Sequence, residues 1–175
     1  MGDVASKTRL LASTLWKSGL DALSGFNQMQ ATDRAARLLQ IVTTLGVRQW
    51  TVLPFGVTNG PPYFQEFMLD LYGGGSKDMP NLLGDGMADL HAALEVWVDD
   101  VQLGTGSAAA SPDDEVHFDE HLSAIARVLE RASTVSLKFK LDKCMFVQLE
   151  LETLGMLAGR GVVKVSPKRI AAIAA

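Results

Sequence analysis

Cysteine and long apolar runs are scarce in this 175-residue chain, and each scarcity excludes a class of protein. A single cysteine, Cys144, excludes an internal disulfide and a zinc site built from several thiolates. No apolar run approaches the roughly 18 residues that a membrane helix needs. The N-terminus also lacks a basic segment followed by an apolar one. We therefore expect an intracellular protein, in the cytoplasm or the nucleus, with no membrane partner.

The chain also lacks an overall excess of basic charge, since its formal net charge is −4 at pH 7. This value argues against a uniformly basic nucleic-acid binder. The charge is unevenly distributed, because residues 136–175 hold seven Lys or Arg and three Asp or Glu, a net of +4, which leaves −8 for residues 1–135. An acidic front and a basic tail fit a metal site beside a polyanion site, or simply two solvated faces.

Alternating polar and apolar residues predict several strands. One strand is expected at about residues 16–21, one on each side of Asp99 and Asp100, and one over residues 135–141. The runs "LLQIVTT" and "RQWTVL" predict a hairpin, and "CMFVQLELETLGMLA" predicts a strand, a turn and a strand.

Helical spacing predicts three helices. The first follows Pro61 and Pro62, the second covers about residues 113–132, and the third begins at Ser166 as the N-cap. Residues 1–15 are a lead-in of unknown structure, residues 31–37 a polar turn, and residues at about 73–86 a surface insertion. This order of elements predicts an α+β domain with a mostly antiparallel sheet and helices packed on one face.

Two short motifs are weak. The piece "GTGSAA" matches a dinucleotide-binding pattern, but Pro112 stands where the phosphate-binding helix should run, so we interpret it as a hairpin exit. The piece "HFDEH", His117 to His121, matches a zinc-protease pattern. The only other histidine is His91, and we interpret the pair as part of the polar start of a helix.

The pair Asp99 and Asp100 is the strongest chemical feature. Adjacent like charges at a strand end cost energy unless a cation neutralises them. A third carboxylate, Asp21, stands at the end of the strand expected at 16–21. If the two strands are neighbours, the three acids converge, and such a cluster suits Mg²⁺ ions that catalyse phosphoryl transfer. A simple hairpin whose two-residue turn is Asp-Asp stays open as the alternative.

Six blocks, in this order along the chain, resemble reverse transcriptases of gypsy-like LTR retrotransposons. They are "GLDALSGFNQM", "RQWTVLPFGVTNGPPYFQ", "VWVDDVQLG", "EHLSAIARVLERA", "LKFKLDKCMF" and "TLGMLAGRGVVKVSPKRIAAI". The resemblance covers about residues 16–173. It implies a polymerase palm-type antiparallel sheet with part of the fingers over residues 16–175. It also implies an RNA-directed DNA polymerase that extends a primer on an RNA or DNA template with dNTPs.

The resemblance also implies roles for individual residues. Asp21, Asp99 and Asp100 match the catalytic acids. Asp21, Asp99 and the backbone carbonyl of Ala22 match the ligands of two Mg²⁺ ions, with Mn²⁺ as an alternative metal. Two further groups are implied, namely the nucleotide-binding residues Phe26, Pro54, Phe55 and Gly56, and the primer grip Leu154, Gly155 and Met156.

The chain departs from the family pattern at several places. Trp97 stands where the aromatic residue before the acids is usually Tyr or Phe, and "LLQI" replaces the usual Lys-Thr-Ala-Phe. The N-terminal fingers, the thumb and the RNase H domain of the family have no counterpart in these residues. We therefore expect the remainder of a polyprotein as a partner. A non-catalytic or relic palm-like module that only binds nucleic acid or a partner is the alternative function.

Overall fold

The computed structural model describes residues 4–74 and 79–174. These residues form five α-helices: α1 Val4–Ala12, α2 Asp33–Leu38, α3 Gly60–Gly73, α4 Glu115–Ser133 and α5 Pro167–Ala174. They also form ten strands: β1 Trp16–Asp21, β2 Gln40–Thr43, β3 Gly46–Gln49, β4 Gly84–Met87, β5 Ala92–Trp97, β6 Asp100–Thr105, β7 Met145–Gln148, β8 Leu151–Thr153, β9 Met156–Ala158 and β10 Val163–Val165. Short 3₁₀ helices cover Gly25–Gln28 and Ala88–Leu90. Within the described ranges no helix has the length and apolar character of a membrane span.

A five-stranded sheet in the order β4-β5-β6-β1-β7 forms the centre of the fold. Every neighbouring pair in it is antiparallel. The predicted α+β class and antiparallel sheet are confirmed. The strands on either side of the acid pair are β5 and β6, and the strand expected at residues 16–21 is β1.

One face of this sheet is covered by α3 and α4, as predicted. Side chains of both helices join inward-facing strand residues in one core, which includes Leu20, Phe64, Met68, Leu103 and Val128. Pro61 and Pro62 occupy the first turn of α3, where their missing N–H groups cost nothing. The side chain of Asp114 accepts a hydrogen bond from the Val116 N–H and so caps α4.

The opposite face of the sheet is covered by a second, three-stranded sheet in the order β10-β9-β8. An added Cβ on Gly19 of β1 would meet Leu151 of β8 at 3.3 Å, which shows how closely the two layers pack. Leu11 and Ala12 of α1 join Leu151 and Ala158 in a smaller core. The lead-in therefore contains a helix, while its residues 1–3 lie outside the described residues.

Lys17 of β1 is fully buried between these two layers. Its ammonium group donates to the carbonyl oxygens of Thr14, Leu15 and Leu149 at 2.8, 3.3 and 3.1 Å. Burial first, and then the charge of Arg160, lower the pKa of Lys17 to about 8. The hydrogen bonds of Lys17 thus connect the segment between α1 and β1 with the turn before β8.

The hairpin of β2 and β3 stands apart from the central sheet, and its existence is confirmed. A polar turn was expected over residues 31–37, but Asp33–Leu38 form α2 instead, because the side chain of Thr32 accepts the Ala35 N–H and caps a helix. The hairpin is largely solvated, and Val42 is 87 % exposed. Of the expected insertion, residues 75–78 lie outside the described residues, and β4 begins at Gly84.

The prediction of a strand over residues 135–141 was wrong. This segment makes a single bridge, between Phe139 and Ala22, and bonds from Leu23 to Lys138 and from Lys140 to Asp21. Leu137 is buried whereas Leu141 is 75 % exposed. The alternation of the sequence therefore reflects an extended segment that runs beside the end of β1, not a full strand ladder.

A buried histidine links three strands to α4. His121 is fully buried, and its ring nitrogens are 2.8 Å from Ser18 Oγ of β1 and 2.8 Å from Thr105 Oγ1 of β6. Ser18 Oγ also accepts the Val147 N–H of β7. Burial first, and then the charge of Lys17, lower the pKa of His121 to about 4. The neutral ring can serve as one donor and one acceptor, which suits two hydroxyl partners.

We expect this histidine to make folding pH-dependent. Because its pKa is lower in the folded chain than the 6.5 of an unfolded one, its contribution is complete above about pH 6.5 and is lost as the pH falls towards 4. Between pH 8 and pH 5 the His121 contribution to the free energy of unfolding should fall by about 2 kcal/mol. Urea denaturation at the two pH values measures this loss.

The variant His121→Phe should show a smaller difference between the two pH values than the wild type. The variant His91→Gln, at an exposed histidine, is the matched control and should keep the wild-type difference. An identical pH difference in wild type and His121→Phe would contradict the assignment.

Candidate active site

The candidate acids lie where β1 and β6 pair. The antiparallel register places Asp21 opposite Asp100, at the last residue of β1 and the first residue of β6. Both side chains leave the sheet on the face opposite to α3 and α4, because Leu20 and Val101, their neighbours, are buried in the core on the helix side. The two carboxylates therefore share one end of the sheet and one face.

Asp99 lies in the turn between β5 and β6. Since Trp97 pairs with Asp100, the turn consists of Val98 and Asp99, so the Asp-Asp turn considered from the sequence was wrong. Asp99 is exposed, and its backbone oxygen accepts the Ala22 N–H at 2.8 Å. Asp21, Ala22 and Asp99 are therefore joined through adjacent backbone at the same end of the sheet.

The three acids interact electrostatically. The pKa of Asp100 is raised to about 6, first by burial and then by the negative charges of Asp99 and Asp21. Lys143 opposes this effect, and its Nζ lies 3.6 Å from Asp21 Oδ2. Negative charge is thus concentrated here beyond what the nearby cation balances.

A cavity of about 400 Å³ opens beside these carboxylates. Asp21, Asp100 and Lys143 line it together with Glu152 and Leu154. Leu154 forms the tight turn between β8 and β9 with Gly155, and both residues have positive φ, 50° and 75°. Such φ values are typical of a type I′ hairpin turn. The structure thus brings two of the three predicted catalytic acids, Asp21 and Asp100, to one cavity with Leu154 of the predicted primer grip. Met156 begins β9 directly after the turn.

The residues expected to bind the nucleotide fall into a neighbouring group. Phe26 lies in the 3₁₀ helix that follows β1, and its ring centroid is 5.4 Å from that of Phe55 and 5.7 Å from that of Phe64. Pro54, Phe55 and Gly56 line a second cavity of about 430 Å³. Phe55 is 65 % exposed and Gly56 has a φ of 92°.

The donor set at the acids suits a hard cation that shares its ligands with a substrate. Among residues 4–74 and 79–174, no three His, Cys, Asp or Glu side chains are grouped so that they could hold a metal ion by themselves. Mg²⁺ usually binds through one or two carboxylates and completes its coordination with water and substrate phosphates. Asp21 and Asp99 supply carboxylates of that kind, and the unbalanced charge on Asp100 is consistent with a cation.

The fold places the two histidines of the zinc-protease-like motif in different surroundings. His121 is buried beneath the sheet, whereas His117 Nδ1 lies 3.1 Å from Glu120 Oε2 near the surface. His91 Nδ1 contacts the other oxygen of Glu120 at 3.1 Å. The interpretation of both histidines as part of the polar start of the helix holds for His117 but was wrong for His121, because the His121 ring is buried and bonded to Ser18 and Thr105.

Two residues at the site were not singled out from the sequence. Lys143 was counted only as part of the basic tail, and no pattern pairs it with Asp21. Gln65 of α3 is 7 % exposed, and its Oε1 accepts the Val98 N–H at 2.7 Å. A signal for Gln65 did exist, since it is a polar residue within the buried stripe of α3 that contains Phe64, Met68, Leu71 and Tyr72.

A family model described as "Reverse transcriptase (RNA-dependent DNA polymerase)" matches residues 4–157 of this chain. Among curated proteins, the retrovirus-related Pol polyprotein from transposon 297 of Drosophila melanogaster is 26 % identical over 154 residues, which is 88 % of this chain and 12 % of that protein. The enzymatic polyprotein of Cestrum yellow leaf curling virus is 28 % identical over 154 residues, 87 % of this chain and 20 % of that protein. The chain thus spans a small part of these relatives.

Solved structures share the fold. A foamy viral protease-reverse transcriptase in complex with double-stranded DNA aligns with a TM-score of 0.75 at 18 % identity, over 99 % of this chain and 26 % of that one. A second, in complex with an RNA/DNA hybrid, aligns with a TM-score of 0.71 at 20 % identity, over 95 % of this chain and 20 % of that one.

The ionised carboxylate of Asp100 should lower the free energy of unfolding when no metal is bound. A carboxyl whose pKa is raised on folding favours the folded state at low pH, and this contribution is lost as the pH rises through about 6. In EDTA at pH 8, Asp100→Asn should therefore raise the free energy of unfolding by about 1 kcal/mol, a figure reduced for solvent screening. Urea denaturation measures it, with Asp119→Asn, at an exposed residue of α4, as the control. A loss of stability in Asp100→Asn would contradict the charge assignment.

Gly25 should tolerate no side chain, because an added Cβ would lie 2.7 Å from Phe64 Cζ beneath Phe26. Gly25→Ala should lower the free energy of unfolding by about 2 kcal/mol through overpacking. Gly73→Ala is the matched control, since its Cβ would make an ordinary contact of 3.5 Å with Leu83. Thermal unfolding compares the two variants, and equal melting temperatures would show that Phe64 moves aside freely.

Proposed function

The chain belongs to the reverse transcriptase family, and from this premise we propose that it is the palm, with part of the fingers, of an RNA-directed DNA polymerase. The observation that supports an active site is the placement of Asp21 opposite Asp100, with Asp99 bonded to Ala22 beside them. These are the residues that the resemblance carries over as catalytic acids. The proposed domain covers residues 16–175, of which residues 75–78 and 175 lie outside the described residues.

Asp21, Asp99 and the backbone carbonyl of Ala22 would hold divalent metal, with Asp100 supporting them. Two Mg²⁺ ions, or Mn²⁺ in their place, would supply activation of the primer 3′-hydroxyl and neutralisation of charge on the triphosphate. The carboxylates contribute by holding fixed negative charge at one end of the sheet. Lys143 contributes a cation that balances part of this charge in the free protein.

The remaining site residues would position the substrates. Phe26, packed between Phe55 and Phe64, would lie under the sugar of the incoming dNTP and exclude a 2′-hydroxyl by shape. Pro54, Phe55 and Gly56 would pack near the base and the template. Leu154, Gly155 and Met156 would hold the primer end beside the acids, since Leu154 lines the same cavity as Asp21 and Asp100.

We propose a primer–template as the macromolecular partner, of RNA or DNA with a DNA primer. Similar solved proteins are described in complex with double-stranded DNA and with an RNA/DNA hybrid. The basic side chains of Lys138, Lys140 and Lys143 follow one exposed segment beside β1 and would contact phosphates. The rest of a polyprotein is the second proposed partner, because the relatives are several times longer. An intracellular location stays a prediction.

Asp99→Asn should abolish Mg²⁺-dependent extension of an oligo(dT) primer on poly(rA). Loss of a carboxylate that binds metal should lower the rate at least about 100-fold, since charge stabilisation by the metal contributes several kcal/mol. Asp142→Asn, at an exposed carboxylate of the neighbouring turn, is the control and should extend like the wild type. Gel analysis of the extended primer measures the rate.

Binding of the oligo(dT)–poly(rA) hybrid, compared with primer extension, distinguishes this proposal from the alternative of a module that only binds nucleic acid. Fluorescence anisotropy should show salt-dependent binding that Asp99→Asn leaves within about twofold. A folded wild-type chain that binds the hybrid but extends no primer with Mg²⁺ or Mn²⁺ would favour the non-catalytic or relic module and contradict the polymerase.

A further inference from the structure

The turn that carries Asp99 has an unfavourable backbone conformation. Val98 has a φ of 54°, in the left-handed region. A β-branched residue rarely adopts this region, because its Cβ crowds the backbone. Such a conformation persists only where surrounding contacts hold it, and strained residues of this kind cluster at functional sites. The surroundings of Val98 must therefore include a contact that holds the turn.

That contact comes from α3. Gln65 is nearly buried, and its Oε1 accepts the Val98 N–H at 2.7 Å. Its Nε2 makes a longer contact of 3.5 Å with the backbone oxygen of Val96 in β5. A buried amide side chain is costly unless its polar atoms are bonded. The Oε1 atom of Gln65 therefore has this partner only when the turn is in place.

The turn is held from its other side by β1. The backbone oxygen of Asp99 accepts the Ala22 N–H, immediately after Asp21. Gln65 thus fixes the first residue of the turn and Ala22 fixes the second. The orientation of the Asp99 carboxylate relative to Asp21 depends on both bonds, because the turn has only these two residues.

We propose that Gln65 is a positioning residue that holds the Val98–Asp99 turn and thereby orients Asp99 towards divalent metal. The inference rests on the proposed polymerase function and deepens it. Gln65 lies on the helix side of the sheet and acts through the backbone of Val98, so it does not contact substrate. Its effect is on the geometry of the acids rather than on nucleic-acid binding.

The variant Gln65→Leu removes the acceptor while keeping a similar volume. With the Val98 N–H unpaired, the turn should relax towards negative φ and move Asp99. We expect 10- to 100-fold slower extension, a several-fold higher Mg²⁺ concentration for half-maximal rate, and unchanged hybrid affinity. Amide hydrogen exchange of Val98, read by NMR, should become faster at least tenfold.

The variant Gln65→Glu keeps an oxygen that accepts the Val98 N–H, so it should recover most of the metal affinity and the slow exchange of Val98. Met68→Ala is the matched stability control, because Met68 is fully buried on the same helix and makes no bond to the turn. Met68→Ala should destabilise the fold as much as Gln65→Leu, or more, while the Mg²⁺ requirement stays that of the wild type.

Metal affinity can also be measured directly, in an experiment that does not depend on primer extension. Mn²⁺ affinity is measured by electron paramagnetic resonance with dTTP and a dideoxy-terminated oligo(dT)–poly(rA) hybrid. Weaker Mn²⁺ binding in Gln65→Leu, restored in Gln65→Glu, supports the inference even if the wild type extends no primer. Equal Mn²⁺ affinity in wild type and Gln65→Leu overturns the inference and leaves the polymerase proposal intact. A wild-type chain that binds no Mn²⁺ under these conditions overturns both.

Discussion

The antiparallel pairing of β1 with β6 is the constraint on which the candidate site depends. It places Asp21 opposite Asp100, and burial on the helix side keeps the register. Leu20, Val101 and Leu103 are in the core, and the bonds of His121 to Ser18 and Thr105 tie the same two strands. A shift of one residue would turn every one of these side chains to the wrong face. The apolar face therefore determines where the carboxylates lie.

Three buried polar side chains help to hold the strands that carry the acids in place. His121 crosses from α4 to β1 and β6, Gln65 from α3 to the turn before β6, and Lys17 from β1 to the turn before β8. Each is bonded to backbone or hydroxyl groups, so that its own polar atoms have partners in a buried place. They connect the helices and the second sheet to the strands that carry the acids, which apolar contacts alone would hold less specifically.

The electrostatics of the site work against the stability of the free chain. Three carboxylates share one end of the sheet, and Lys143 balances only part of their charge. A protein that only needed to fold would gain from a neutral residue at Asp100. The persistence of such a charge beside a strained turn is typical of a site whose geometry serves binding or chemistry.

The sequence by itself determined the α+β class, β1, the β5–β6 hairpin, α3, α4 and the acids as a group, because periodic burial and paired carboxylates are local patterns. The family resemblance added Phe26 and the turn at Leu154 to the candidate site, and the roles of these residues stay predictions.

Only the tertiary structure decided the remaining elements and contacts. Residues 135–141 alternate like a strand but run beside Ala22 with a single bridge, and Thr32 caps a helix where a turn was expected. The contact of Lys143 with Asp21 and that of Gln65 with Val98 join residues far apart in the chain. Local periodicity carries no information about such pairs, since packing of the helices and sheets brings them together.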